Sequence, residues 1–267
     1  MAPLWEVLVV AYKQQVPCLS TMFAMRGARG GASIQDIAVA GRVSGSGSHA
    51  RRETEHQNLE TMTALMITIH GRDTRMQTSL PQIFLVRHGE TAWSVSGRHT
   101  GRSDIDLTPN GENAARLLAE RLKGITTDVV WSSPSLRARR TCELAGFASG
   151  MSVKPDLNEW DYGQYEGITT KEIHQTAPGW QLFRDGAPGG ESIEQVGARA
   201  DRIIHDIRVS GATILIFSSS HFLRVLAARW LGLPPEYGRG FVLGTASVSV
   251  LGYEHDIEEP VIRAWNS

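Results

Sequence analysis

Cysteine is nearly absent: Cys18 and Cys142 are the only two in 267 residues, and no Cys-x-x-Cys pair occurs. This excludes a disulfide framework and a cysteine-rich metal site, and it suits a reducing compartment, the cytoplasm. Long apolar runs are missing too. No stretch approaches the roughly 18 residues of a spanning helix. The apolar "WEVLVVAY" at residues 5–12 has no basic segment before it and contains Glu6, unlike a signal peptide. Neither sign of charge dominates, with 27 Lys and Arg against 28 Asp and Glu and a formal net charge of -1. Without a basic surplus there is no electrostatic case for nucleic acid or an anionic membrane, so the expected partner is a small molecule. His49, His56, His70, His174, His205 and His255 stand apart without ligand spacing, so no metal is expected at any of them.

What is present divides the chain in two. Residues 1–79 hold six of the seven methionines and stretches such as "RGARGGAS", in which Gly, Ser and Arg alternate without helical or strand period. Little fixed structure is expected there. A transit peptide avoids acids, whereas this segment carries Glu53, Glu55 and Glu60. With Met62, Met66 and Met76 just before the ordered pattern, a start at Met76 is expected instead. An N-terminal peptide of the native protein mapping before Met62 would exclude it.

Residues 80–267 alternate strands and helices. "IFLV" at 83–86 reads as a strand, and "LTPNGENAARLLAERLKG" as a helix with Thr108 as N-cap, Pro109 in its first position and Gly124 as terminator. "DVVWSS" repeats the strand, and "SPSLRARRTCELAG" repeats the helix with Ser133, Pro134 and a closing Gly146. After a loop-rich middle, Ile193, Val196, Ala200, Ile203, Ile204 and Ile207 share one helical face. "TILIF" (strand), "FLRVLAARWLG" (helix) and the strands "ASVSVLGY" and "VIRAW" complete the pattern. The expected fold is an α/β three-layer sandwich, a mostly parallel central sheet flanked by helices, with ligands outside the carboxyl ends of its strands.

Three segments fall at that rim. "RHGET" places Arg87 and His88 directly after the first strand, and "GRHTG" follows with His99, Thr100 and Gly101. "SSPSLRARRT" sets Arg137 on a first helical turn, while Arg139 and Arg140 read as solvated helix arginines. "LNEWDYGQYEG" puts Glu159 beside Trp160, Tyr162 and Tyr165, and a carboxylate among aromatic rings is a candidate proton donor. Taken singly, each has a blander reading as a turn histidine, a solvated arginine or a surface acid.

In this order, "RHGET", "TG", "LT..G", "SSP..RA..T", "L.E..YG.YEG" and "GES" resemble the histidine phosphatase superfamily, also called the phosphoglycerate mutase-like family. Within it the pattern is similar to mycobacterial acid phosphatases and fungal sedoheptulose-bisphosphatases. The resemblance spans residues 82 to about 255 and leaves residues 1–79 unmatched. It implies that His88 attacks phosphorus to form a phosphohistidine, that Arg87 and Arg137 clamp the phosphoryl oxygens, and that Glu159 moves the proton. It also implies that the amides around Thr100 and Gly101, and His99, contact phosphate or substrate, and that no metal or other cofactor takes part. Family members often carry Asn where this chain has Ser94, which retains a hydroxyl but lacks the amide's paired donor and acceptor.

The family's second pocket histidine lies in a Ser-His-Gly turn, five residues before a helix arginine. Counting back from Arg224 lands on Ser219, so "SSSHF" aligns with Ser219 in place of His, Ser220 in place of Gly, and His221 as a further, non-catalytic histidine. Two rival readings stay open: a local shift that brings His221 into the pocket, or a turn no longer used for chemistry. The expectation is a phosphatase of small phosphomonoesters, sugar phosphates among the candidates, weakened by Ser219. A phosphate-binding pseudoenzyme and a mutase-type phosphotransferase are the alternatives, and a homodimer is compatible with either. Only residues 168–190 separate Gly167 from Glu191, which favours phosphatase over mutase.

Overall fold

The computed structural model describes residues 80–267. The N-terminal segment expected to be irregular and the expected start at Met76 lie outside the described residues. Six strands, β1 (Ile83–Arg87), β2 (Val129–Ser132), β3 (Met151–Val153), β4 (Ile214–Ser218), β5 (Val248–Tyr253) and β6 (Pro260–Ala264), form one sheet in the order β3-β2-β4-β1-β5-β6. The first four of that order run parallel, β5 runs antiparallel to β1, and β6 antiparallel to β5. The mostly parallel sandwich expected from the sequence is therefore observed.

Side chains alternate along β1 and β4. Ile83, Leu85, Ile214 and Ile216 enter one apolar core, while Phe84, Val86, Leu215 and Phe217 enter a second. Each core is closed by different helices. The second takes Leu118 and Leu122 from α2 (Pro109–Arg121) and its end, and Cys142 from α3 (Leu136–Leu144), which follow α1 (Ala92–Ser96). The first takes Val196, Ala200, Ile203 and Ile207 from α6 (Ile193–Ser210) and Phe222, Leu223 and Leu226 from α7 (Ser220–Trp230). Full burial of each such side chain stabilises the fold by about 1.5–3 kcal/mol. Since the helices following β1 and β4 pack on opposite faces of the sheet, a crevice opens at the carboxyl ends of these adjacent strands, where Arg87 pairs with Ser218.

Thr108 caps α2 through the Gly111 amide at 3.0 Å with Pro109 following, and Ser192 and Gln195 form a reciprocal capping box on α6. One boundary differs from the sequence reading. α3 begins at Leu136 rather than after Ser133, because Ser133 Oγ accepts from the Ser135 amide at 3.1 Å and tightens the turn before the helix. The middle read as loops contains β3, α4 (Thr170–Thr176) and α5 (Leu182–Asp185), all too short to show a period in the sequence.

Candidate active site

His88 stands one residue past β1, its amide donating to Ser218 O at 3.0 Å and its carbonyl accepting from Ala246 N at 3.1 Å. The residue is only 4% exposed. Its Nδ1 lies 2.7 Å from Gly89 O, and because a carbonyl only accepts, Nδ1 carries the proton. Nε2 is then the lone-pair nitrogen. It has no protein partner, yet it is not among the buried unpartnered nitrogens, so it opens to the crevice. Burial holds the imidazole well below its ordinary pKa, and the Arg137 and Arg87 guanidiniums lower it further against the Gly89 carbonyl. Glycine is required at position 89, where a Cβ would stand 2.6 Å from Gly111 O.

Arg87 and Arg137 flank this imidazole, and among the described residues no carboxylate is hydrogen-bonded to either. Arg137, fully buried, donates to Ser103 O at 2.9 Å, Thr100 O at 2.9 Å and Gly101 O at 3.1 Å, while Arg87 donates to Leu243 O. The Nε of both is buried and unpartnered. Burial lowers both pKa values, opposed chiefly by Glu159 and Tyr162. Two desolvated cations held by neutral carbonyls form a site for an anion. Of the arginines read as solvated, Arg140 pairs with Glu112 and Glu143, and Arg139 donates to Pro134 O.

The 100–103 turn that grips Arg137 is shaped by Glu166, which sequence reasoning passed over. Its carboxylate accepts from Gly101 N at 3.0 Å and Ser103 N at 3.1 Å. The Gly101 amide is therefore committed to Glu166 rather than open to a ligand, whereas the Thr100 amide has no partner among the described residues. Glu166→Ala is expected to lower stability by about 1.5–3 kcal/mol, the usual worth of hydrogen bonds to a charged group. It is also expected to weaken phosphate inhibition by loosening Arg137. Urea denaturation alongside inhibition kinetics checks both, and an unchanged inhibition constant would free Arg137 from this turn.

Glu159, 4% exposed, accepts from Trp160 N at 2.9 Å, Phe222 N at 2.8 Å and His221 N at 3.0 Å. Its aromatic neighbours are present as expected, since Trp160 and Tyr162 are both buried, but backbone amides meet the carboxylate itself. Trp160 is packing, its indole N–H donating to Glu191 O at 2.8 Å. The segment is pinned by Arg199, which donates to the carbonyls of Asp156 at 2.7 Å and Asn158 at 2.9 Å and pairs with both oxygens of Glu191.

Ser219 caps α7 and is fully buried. Its hydroxyl makes no capping bond and lies 3.5 Å from Arg137 Nη2, so Ser219 is the member of the serine turn beside that guanidinium. Ser220 opens the helix. His221 meets Tyr162 and Glu159: its Nδ1 lies 2.6 Å from Tyr162 OH and 3.9 Å from Glu159 Oε2, and its ring packs against Phe183 and, at 6.2 Å, His99. His99 also touches Tyr162 and Trp180 and shares a 3.3 Å contact with Thr170 Oγ1. These rings form an uncharged wall beside the cationic floor. Ser94 is drawn into neither, because its hydroxyl accepts from Thr91 N at 2.9 Å and donates to Thr91 O at 2.9 Å, stapling α1.

Burial also lowers the pKa of His99, against Glu166, and of His221, where Arg224, His99 and Arg87 add to the effect. With His88, three imidazoles stay neutral in the folded protein while the unfolded chain takes up protons near 6.5. The unfolded state then binds more protons, so this contribution to stability is complete above about 6.5 and is lost as pH falls below it. Thermal melts from pH 7 to pH 5 should show a falling Tm. A flat profile would mean that these rings protonate freely in place.

A nucleophile-grade imidazole between two carboxylate-free arginines at parallel strand ends is the arrangement of a phosphate-handling enzyme. The chain matches the family model of the histidine phosphatase superfamily (branch 1) over residues 83–267 and belongs to that family. It is 40% identical to an acid phosphatase of Mycobacterium tuberculosis over 182 residues, covering 67% of this chain and 89% of that one. It is 34% identical to a sedoheptulose 1,7-bisphosphatase of Saccharomyces cerevisiae over 190 residues, covering 59% and 70%. A solved structure of a Mycobacterium tuberculosis open reading frame superposes with a TM-score of 0.67 at 38% identity, covering 70% of this chain and 98% of that one. The chain is accordingly a phosphatase-type member of the superfamily. Among the described residues no cluster of three or more His, Cys, Asp or Glu is placed for a metal ion, and no helix is long and apolar enough to cross a membrane.

Proposed function

We propose that the protein hydrolyses small phosphomonoesters, sugar phosphates among them, through a phosphohistidine on His88. The observation that carries this reading is the Nδ1–H bond from His88 to Gly89 O, which leaves Nε2 bare between Arg87 and Arg137. Nε2 attacks phosphorus in line, the P–O bond to the leaving alkoxide breaks, and the guanidiniums hold the charge of the equatorial oxygens. Glu159 delivers a proton to the alkoxide, then takes one from the water that cleaves the P–N bond, returning His88 neutral. The partly exposed rings of His99 and His221, with Tyr162 packed behind them, support the leaving group's carbon skeleton.

Ser219 lowers the rate. A hydroxyl near Arg137 hydrogen-bonds but brings no positive charge, and loss of one preorganised donor to a developing oxyanion costs about 2.7–4 kcal/mol, roughly 100- to 1000-fold. The same residue favours the second reading, a protein that binds phosphate esters without turning them over. Alkaline quenching during turnover of a radiolabelled aryl phosphate separates the two. The enzyme reading expects label on the peptide containing His88. Tight phosphate binding with neither label nor product would establish the binding protein.

A further inference from the structure

The loop from Phe241 to Ser247, between α7 and β5, provides the hydrogen-bond partner of the Arg87 side chain, the Leu243 carbonyl. It also flanks the nucleophile, with Arg87 N donating to Ser247 O at 3.2 Å and Ala246 N to His88 O at 3.1 Å. The chain after β6 grips this loop from outside. Trp265 Nε1 donates to Val242 O at 2.7 Å while its ring lies 5.2 Å from that of Phe241, and Asn266 Oδ1 accepts from Gly244 N at 2.6 Å. Val242 and Gly244 are the two neighbours of Leu243, so the carbonyl that anchors Arg87 is bracketed on both sides.

Asn266 is itself held, its amide donating to Ser249 Oγ at 3.0 Å and the next residue, Ser267, exchanging backbone bonds with Val248. Among the described residues, Ala246 at φ +52° and Asn266 at φ +54° are the two non-glycine residues with left-handed backbone. Such conformations cost free energy and persist where the surroundings over-determine them. Both lie in this clamp, one on each of its segments.

We infer that Trp265 and Asn266 are positioning residues for the phosphate-binding arginine: by pinning Val242 and Gly244 they fix the Leu243 carbonyl, and through it the direction of the Arg87 guanidinium. The inference rests on Arg87 binding the phosphoryl group as proposed above. At Asn266, which is exposed and outside both cores, it concerns binding rather than folding, whereas Trp265 also packs against the first core, so its variant is read beside its melting temperature.

The test compares full-length wild type, Arg87→Ala, Asn266→Ala, Asn266→Asp and Trp265→Phe for binding of inorganic phosphate by calorimetry, with melting temperature as a check on folding. Asn266→Ala and Trp265→Phe are expected to weaken phosphate binding roughly three- to tenfold while their Tm, although lowered, stays well above the assay temperature, since small misplacement of a clamp is costly. Asn266→Asp keeps the Oδ acceptor and should stay within about twofold of wild type. In an Arg87→Ala background, Asn266→Ala should add nothing, because the two act as one unit. Unchanged affinity in both outer variants, an Asn266→Asp as weak as Asn266→Ala, or an equal further loss without Arg87 overturns the inference and leaves the clamp standing. Unchanged affinity in Arg87→Ala itself, or a wild type that binds no phosphate, removes the clamp and the inference with it.

Discussion

His88→Ala should abolish turnover of an aryl phosphate, by a factor on the order of 10⁴ to 10⁶ where the wild-type rate allows it to be measured, as expected when a nucleophile is removed from a unit that acts together. Nothing nearby replaces it. His221 is engaged by Tyr162 at 2.6 Å and His99 by Thr170 at 3.3 Å, both on the ring wall. Arg87 and Arg137 remain, so His88→Ala should still bind inorganic phosphate, and loss of rate without loss of binding is the signature to seek. The variant also strips Gly89 O of its Nδ1–H donor, a cost of about 1–3 kcal/mol if no water takes its place, so Tm must be followed beside the rate. A wild type no faster than His88→Ala would end the enzyme reading.

Ser219→His should move activity the other way, by roughly 100- to 1000-fold in kcat, the value of a preorganised donor at a developing oxyanion. The position is buried, caps α7 and lies beside Arg137 Nη2, so an imidazole there would reach the region where Arg137 is poised. Overpacking sets a limit, since extra atoms in a filled site typically cost about 1–3 kcal/mol. A folded variant with no gain, together with collapse of activity in His221→Ala, would make His221 the donor and reverse the assignment of the serine turn.

These outcomes depend on residues that differ in how plainly the sequence displays them. Arg87 and His88 were legible because they abut an apolar strand, and Arg137 because it opens a helix; short-range pattern fixes both positions. The core face of α6 was legible for the same reason, every apolar residue of its 3.6-residue period being buried. Glu166, Leu243, Thr141, Glu191 and Arg199 were not read as supports of the site. Each acts across a large separation, as when Thr141 Oγ1 accepts from Gly89 N at 2.9 Å, and no local period encodes such a contact. Ser94 is the opposite case: where the family often has Asn, its hydroxyl closes its own turn, a local contact that the motif does not display. The start of α3 was misjudged because three serines around Pro134 offer competing caps, and packing chooses among them.

The division between a charged floor and a ring wall has a consequence for how such a protein diversifies. His88, Arg137 and Ser219 sit just past strand ends and on a first helical turn, whereas His99, Tyr162, Trp180 and Phe183 come from segments that contribute no strand to the sheet, the last three packed into the first core. Substitutions in these segments can reshape the leaving-group side while the nucleophile stays where the sheet puts it. On the proposed reading, substrate choice and reaction chemistry are inherited on separate parts of the chain, and new specificities can arise without rebuilding the machinery that breaks the bond.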